Sequence, residues 1–407
     1  MSQRNVSNIM NGCFGCTACA SICPTRAIEM EKSQEGFLYP KVKEEKCISC
    51  GKCRMVCPSV IQDESSNTRR SYKICAYVNP DETVLSNSTS GGFFSAAIDS
   101  FSPDYVCGAI FDKDHIVVHV ISNQKDTIDK MHGSKYVQSN LGQCFIDIKE
   151  KLDKGFRVLF SGTSCQVKGL IGYLNTTNTN MDNLLTLDLV CHGVPSPLLF
   201  SDYLKNYEMK TGKKIINYSS RSKKYGWGSN LGVLNYLQTI SRSDSKIDNT
   251  SFDANLWQNI FFNDYCIREC CYICPFATPD KPSDLTMGDF WGVESIITDI
   301  PFSRGCSLII CHSEKGNNVL NGINVTWLDN NQMVEAVKKQ ARLKKPITRP
   351  SNREIFWQDY HNKSFSDIAK KYFRYSNRNG FLMKIYMMLV NFGLIKLANR
   401  ISKKIFL

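Results

Sequence analysis

Eight of the nineteen cysteines fall within the first 60 residues, in two copies of one spacing. Cys13, Cys16, Cys19 and Cys23 precede Pro24, and Cys47, Cys50, Cys53 and Cys57 precede Pro58, each copy reading C-x2-C-x2-C-x3-C-P. A four-iron cube needs four thiolates arranged tetrahedrally, and a tight C-x2-C-x2-C loop supplies three of them. Zinc also takes C-x2-C pairs, but it requires neither the third cysteine nor the trailing Cys-Pro. The N-terminus, 1–12, is polar and lacks the apolar stretch of a secretory signal, so a reducing cytosol is expected. There a disulfide framework is excluded and ligation is the better reading of so many cysteines.

In bacterial two-cluster ferredoxins the fourth cysteine of each run ligates the other cluster. Cys13, Cys16, Cys19 and Cys57 are therefore assigned to one 4Fe–4S cluster, and Cys47, Cys50, Cys53 and Cys23 to a second. A further group, Cys266, Cys270, Cys271 and Cys274, lies far downstream. Cys271 and Cys274 have ligand spacing, and Cys165 and Cys191 end two expected strands, so these four could converge on a third cluster. A structural zinc or plain buried thiols are the competing readings. Cys75, Cys107, Cys144, Cys306 and Cys311 sit in apolar, strand-like contexts and read as packing.

The elements that must carry these residues are of mixed type. The fold class expected is α+β or α/β: a small dicluster ferredoxin domain followed by a two-part α/β domain. Residues 1–60 form the first domain and the polar stretch 61–71 a linker. Strands are expected at 72–78, 105–111, 115–122, 156–160, 184–190, 231–240 and 307–311, and one leading into Gly288 and Asp289. Helices are expected at 93–101, 166–174, 197–210 and 252–265, the third with Pro197 in its first turn. Strand, loop and helix in succession imply a parallel sheet with functional loops at the strand C-terminal ends. Past Lys338 the sequence turns basic and less regular.

Composition narrows the function classes. The 407 residues are 42% hydrophobic and 22% charged, which is ordinary for a globular chain, and no apolar run is long enough for a membrane helix. The net charge of +12 could suggest nucleic acid, but nine positive charges and no acidic residue follow Asp367, so the excess belongs to the tail and no nucleic-acid groove is read. Within 394–407, Leu394, Leu397, Ala398, Ile401 and Ile405 share one helical face opposite Lys396, Arg400, Lys403 and Lys404. Such a helix can rest on an anionic membrane at the inner surface, or dock on its own protein or a partner. Clusters of this kind pass single electrons, so a converter is needed if a substrate takes a hydride. No G-x-G-x-x-G occurs, so a flavin would have to be held in another way.

Several motifs together resemble one family, the beta subunit of coenzyme F-420-reducing hydrogenase and dehydrogenase. They are Ser90-Gly91-Gly92, Gly133 to Ser139 with Lys135 and Tyr136, Arg157 to Val167 through Gly162, Thr163, Cys165 and Gln166, Asp188 to Ser196 through Cys191 and His192, Cys271-x2-Cys274-Pro275, and Asp284 to Gly292. They span about residues 72–325, and Ser164 stands where the family carries proline. The resemblance implies an N-terminal-like part at 72–150, a C-terminal-like part at 151–325 bearing FAD and the third cluster, and a basic extension at 326–407. It further implies an iron–sulfur flavoprotein oxidoreductase, fed by a redox protein and serving a small hydride acceptor. That acceptor is a deazaflavin or a small metabolite, with cell-surface polysaccharide synthesis one setting.

FAD contacts are expected from Ser90, Gly91, Gly92, Lys135, Tyr136, Ser139, Gly162, Thr163 and Gln166. The backbone N–H groups of Gly91, Gly92, Gly162 and Thr163 would face a pyrophosphate. Lys135 would hold a phosphate or sit near the flavin ring, or simply be solvated. His192 reads as a proton donor or a loop cap, Asp289 as a carboxylate satisfying loop N–H groups, and Trp291 as packing. No acid or base is assigned. A non-catalytic electron-relay subunit and a structural or regulatory metalloprotein are the other classes consistent with these residues.

Overall fold

A computed structural model describes residues 5–9, 12–61, 71–221, 223, 227, 233–237, 246–248, 251–375 and 377–391. The N-terminal module has two short helices, Ala18–Ile22 and Lys52–Met55, each following one cysteine loop, and the hairpin β1 (Ile28–Lys32) and β2 (Leu38–Val42). It has little apolar core of its own. Cys16, Cys19, Ile22, Cys53 and Val56 instead share a core with Val167 and Leu170 of the helix Ser164–Thr176. Gly169 of that helix lets the module approach, since a Cβ there would stand 2.8 Å from the Cys16 sulfur. The hairpin tip is also gripped. Ser196 Oγ donates to Glu35 O at 2.5 Å, and the buried Arg353 pairs with the Glu35 carboxylate, 2.8 Å from Nη1.

The larger part is built on an eight-stranded sheet. Its strands are β3 (Lys73–Tyr77), β4 (Tyr105–Phe111), β5 (Val117–Ser122), β6 (Val158–Gly162) and β7 (Leu184–Leu189), joined later by β11 (Leu285–Asp289), β12 (Ser307–Cys311) and β13 (Thr326–Trp327). A separate antiparallel sheet holds β8 (Lys214–Ser219), β9 (Val233–Leu237) and β10 (Lys246–Asp248). The large sheet runs β13-β3-β12-β11-β7-β6-β4-β5. Only its centre, β11-β7-β6-β4, is parallel; β5 pairs antiparallel on one side, and β12, β3 and β13 on the other. The expected parallel sheet is thus a mixed one. Segments 72–150 and 151–325 interleave their strands in it.

Central strands are buried on both faces, as near-continuous apolar runs require. Val158 and Phe160 join the core shared with the cysteine module, while Leu159 joins the core under the helix Phe93–Phe101. Among the described residues past Lys338, helices follow at Arg353–Asn362, Phe365–Tyr372 and Asn377–Asn391, more regular than expected. Arg353–Asn362 and Phe365–Tyr372 place Phe356, Trp357, Ile368 and Phe373 in the core around the helices Pro197–Thr211 and Phe252–Phe262. No helix of the described residues is long and apolar enough to cross a membrane. The linker 62–70, the ends of the expected 231–240 strand and the amphipathic stretch 394–407 lie outside the described residues.

Candidate functional site

Cys13, Cys16, Cys19 and Cys57 line one cavity, and Cys23, Cys47, Cys50 and Cys53 line another. Left-handed turns at Thr17 and Gly51 start the two helices and fold each loop back on itself. Backbone N–H groups turn toward sulfur: Gly15 donates to Cys13 Sγ at 3.3 Å and Ala27 to Cys23 Sγ at 3.2 Å. Burial pushes the Cys16 and Cys19 thiols up, and neighbouring cysteines push further: Cys19, Cys57 and Cys13 on Cys16; Cys13, Cys57 and Cys53 on Cys19. Four such groups ionise together only against compensating metal charge. Among the described residues no group of three or more Cys, His, Asp or Glu could hold a single metal ion. Cys50 is exposed, so the second cavity lies at the surface.

Cys165, Cys191, Cys271 and Cys274 come together around a third cavity. Cys165 lies in the first turn of the 164–176 helix and Cys191 just beyond β7, so both stand at C-terminal ends of parallel strands. Cys271 belongs to the 3-10 turn Glu269–Ile273, and Cys274 caps it. Burial raises all four thiols except that for Cys271 the bond to Cys270 ranks ahead of burial; Cys191 and Cys274 reach about 12. Two features go beyond the ligand set read from the sequence, the first being a cysteine already noted in the downstream group. Cys270 is a fifth thiol in this wall, and the buried Lys281 donates to Ser164 Oγ at 3.1 Å and Phe276 O at 3.0 Å. Ser164, where the family has proline, thus gives a buried ammonium an acceptor. Phe14 lines both this cavity and that of Cys13, its ring 5.6 Å from Phe276.

The fourth cavity is the large one, about 590 Å³, at the C-terminal edge of β6, β7 and β11. Its volume is that of a cofactor-sized site. Thr163, Cys191 and His192 belong both to its wall and to that of the third cysteine set. His192 Nε2 meets Asp264 Oδ1 at 2.7 Å, with the ring against Phe261 at 4.9 Å. Ser90, Gly92, Lys135, Tyr136, Ser139, Gly162, Thr163 and Gln166 all line the cavity. Gly91 does not: its N–H donates to Ser307 Oγ at 2.9 Å and it packs on strand backbone. The Thr163 N–H is likewise taken, by Gln166 Oε1 at 2.9 Å, while Gln166 Nε2 donates to Ser139 Oγ at 3.0 Å. Both N–H groups are thus engaged within the protein, where the sequence reading had them facing a pyrophosphate, and Gln166 and Ser139 are joined across the loops of the cavity wall.

Lys135 donates to Lys130 O at 2.7 Å and His132 O at 2.9 Å, and burial pushes its amine down to about 7. Its third proton is open to a ligand oxygen. His119, pushed down to about 4 by burial, is neutral; Nε2 faces Ser161 O at 3.0 Å, an acceptor, so Nε2 carries the proton. His119 Nδ1 is then a buried acceptor without a partner among the described residues, in the wall of a cavity with room for a donor. Asp289 satisfies side chains rather than loop N–H groups: it pairs with Arg221 and accepts from Trp227 Nε1 at 2.8 Å. Trp291 stacks on Trp227 at 5.1 Å. Arg221 and His119 carried no motif to mark them. Only burial beside the cavity does.

Two cysteine quartets in a small module docked on a mixed α/β domain define an iron–sulfur protein of the electron-transfer class. Residues 12–61 match the 4Fe–4S dicluster domain, and residues 155–333 match the family formed by the C terminus of the coenzyme F-420 hydrogenase/dehydrogenase beta subunit. These two stretches contain both cysteine runs and the motifs from Arg157 to Gly292. An uncharacterized polyferredoxin-like protein of Methanocaldococcus jannaschii is 41% identical over 54 residues, covering 11% of this chain and 32% of that protein. A component of the Na(+)-translocating ferredoxin:NAD(+) oxidoreductase complex of Acetobacterium woodii is 46% identical over 50 residues, 12% of this chain and 14% of that protein. The chain therefore spans a third or less of these curated relatives. A chain of the F-420-reducing nickel–iron hydrogenase complex of Methanosarcina barkeri aligns at TM-score 0.40 and 14% identity, over 71% of this chain and 99% of that one.

Proposed function

We propose that the protein is an iron–sulfur flavoprotein oxidoreductase. Its two N-terminal quartets hold one 4Fe–4S cluster each, Cys165, Cys191, Cys271 and Cys274 hold a third, and the 590 Å³ cavity holds FAD. One observation carries the reading: the four cavities form a series. Cys19 in the first is close enough to Cys53 in the second to feel its charge, Phe14 belongs to the next pair, and Cys191 with His192 to the last. The residues present fit the groups, since quartets of thiols suit cubes and an orphan acceptor with an open ammonium suits a polar cofactor. The clusters supply one-electron exchange, and a bound flavin supplies its conversion to hydride transfer. The exposed Cys50 edge is where a redox protein would deliver or collect electrons, and a small hydride acceptor, a deazaflavin or another metabolite, would enter the large cavity.

Anaerobic purification with iron, sulfide and flavin analysis tests this. About twelve irons and one FAD per chain are expected; iron without flavin would favour a relay role and remove the enzyme. The pH dependence of FAD binding adds a residue-level check. Below pH 7 the Lys135 amine is charged and strengthens a bond to phosphate; as pH rises through 7 that charge is lost, and a bound anion moves the loss upward in pH. A charge-assisted hydrogen bond contributes about 1.5–3 kcal/mol, so affinity should fall about tenfold or more from pH 6 to well above 8. Lys135→Met should bind weakly with a flat profile, as read by fluorescence titration of deflavinated protein.

A further inference from the structure

The side chain of Arg268 is wholly buried between two cysteine sets, and nothing in the chemistry above uses it. Its backbone N–H donates to Val194 O at 3.0 Å, and its carbonyl accepts from the Cys271 N–H at 2.9 Å, which fixes it against the third set. The guanidinium reaches the other way. Nε donates to Cys13 O at 2.7 Å, Nη1 to Gln138 Oε1 at 3.0 Å and Nη2 to Leu38 O at 2.9 Å. It lies 4.1 Å over the Tyr39 ring, and a Cβ on Gly15, inside the first cysteine loop, would stand 3.0 Å from Nη1. All three acceptors are neutral. The groups whose ionisation it feels are Cys13, Tyr39, Cys270 and Cys271.

A buried, permanently charged guanidinium with neutral partners is costly unless an anion lies near. Here cysteine thiols lie within its field on both sides, and they become anionic as cluster ligands. We propose that Arg268 is an electrostatic bridge between the Cys13 and Cys271 clusters, a fixed cation whose counter-charge is the clusters themselves and which holds both easier to reduce. Cluster potentials follow net charge and hydrogen bonding, so a cation shared by two neighbours stabilises an added electron on either. On the Cys271 side this rests on the third-cluster reading; on the Cys13 side it rests on the dicluster domain alone.

The test is an EPR-monitored redox titration of the full chain, purified anaerobically. Arg268→Met, of similar length and neutral, should disfavour reduction of both clusters at least about tenfold, a downward shift of about 59 mV for a one-electron couple. Arg268→Lys, which keeps the charge and loses the fork, should restore most of the shift; a purely structural residue would give no such recovery. Should Arg268→Met fail to assemble, Gln138→Glu leaves the arginine in place and sets a carboxylate on Nη1, and the same downward shift is expected. Unmoved potentials in an iron-replete Arg268→Met or Gln138→Glu protein would overturn the proposal. Eight irons per chain would remove the third cluster and overturn the bridge together with that reading, whereas twelve irons with unmoved potentials would overturn the bridge alone.

Discussion

Cys191→Ala is expected to lower the iron content from about twelve to about eight atoms per chain, with sulfide falling in step. Cys191 lines the third cavity with Cys165, Cys271 and Cys274, and all four thiols are pushed up, Cys271 first by its bond to Cys270 and the others by burial. Removing one leaves three ligands and an open corner. Cys270 stands in the same wall, so Cys270→Ala is the matched control and should keep its full iron. If Cys191→Ala kept twelve irons while the Cys191, Cys270 double replacement lost four, Cys270 would be the substitute ligand. The two N-terminal clusters should be untouched in either protein, because their quartets are held by separate loops.

The second large effect concerns stability. Gly91→Ala should cost about 3 kcal/mol or more, because overpacking against backbone has no side chain to give way. A Cβ on Gly91 would overlap the Tyr77 carbonyl oxygen and sit 2.5 Å from Ser307 N. Those two residues pair across β3 and β12, so relief means prying apart the edge of the large sheet. A thermal midpoint lower by about 5 °C or more is expected. By contrast, a Cβ on Gly142 would meet nothing within 4 Å; Gly142→Ala carries only the backbone strain of φ +53°, about 1–2 kcal/mol. Equal midpoints for the two variants would contradict the close contact at Gly91.

Those residues also mark how far the sequence could be read. The cysteine quartets were legible because ligation by a compact loop forces a local spacing that nothing else requires. Strands β6, β7 and β12 were legible as short apolar runs, since burial on both faces leaves no polar alternation. The mixed character of the sheet was not. Whether β12 pairs with β3 or with a parallel neighbour is settled by contacts more than 200 residues apart. Gly91 illustrates the limit at the site: a glycine that admits a phosphate and one that admits a neighbouring strand look alike until the neighbour is in place. Arg268 and Lys281 were illegible for a related reason. A basic residue in a polar-looking loop reads as solvated, and only the assembled core shows that water is excluded from both. The C-terminal helices were hidden by the basic residues scattered between them, though Phe356, Trp357 and Phe373 anchor them.

The grip on the hairpin tip has a consequence for how electrons would move. Arg353 holds Glu35 while also donating to Tyr272 Oη at 3.1 Å and Ile267 O at 2.9 Å, so a residue near the far end of the chain clamps the cysteine module beside the third quartet. On the proposed reading no arm swings to carry charge from one centre to the next. Spacing built in at folding, and not the frequency of a domain's encounters, would govern each hop, and the chain would behave as a fixed circuit whose only loose terminals are the outside donor and the entering acceptor.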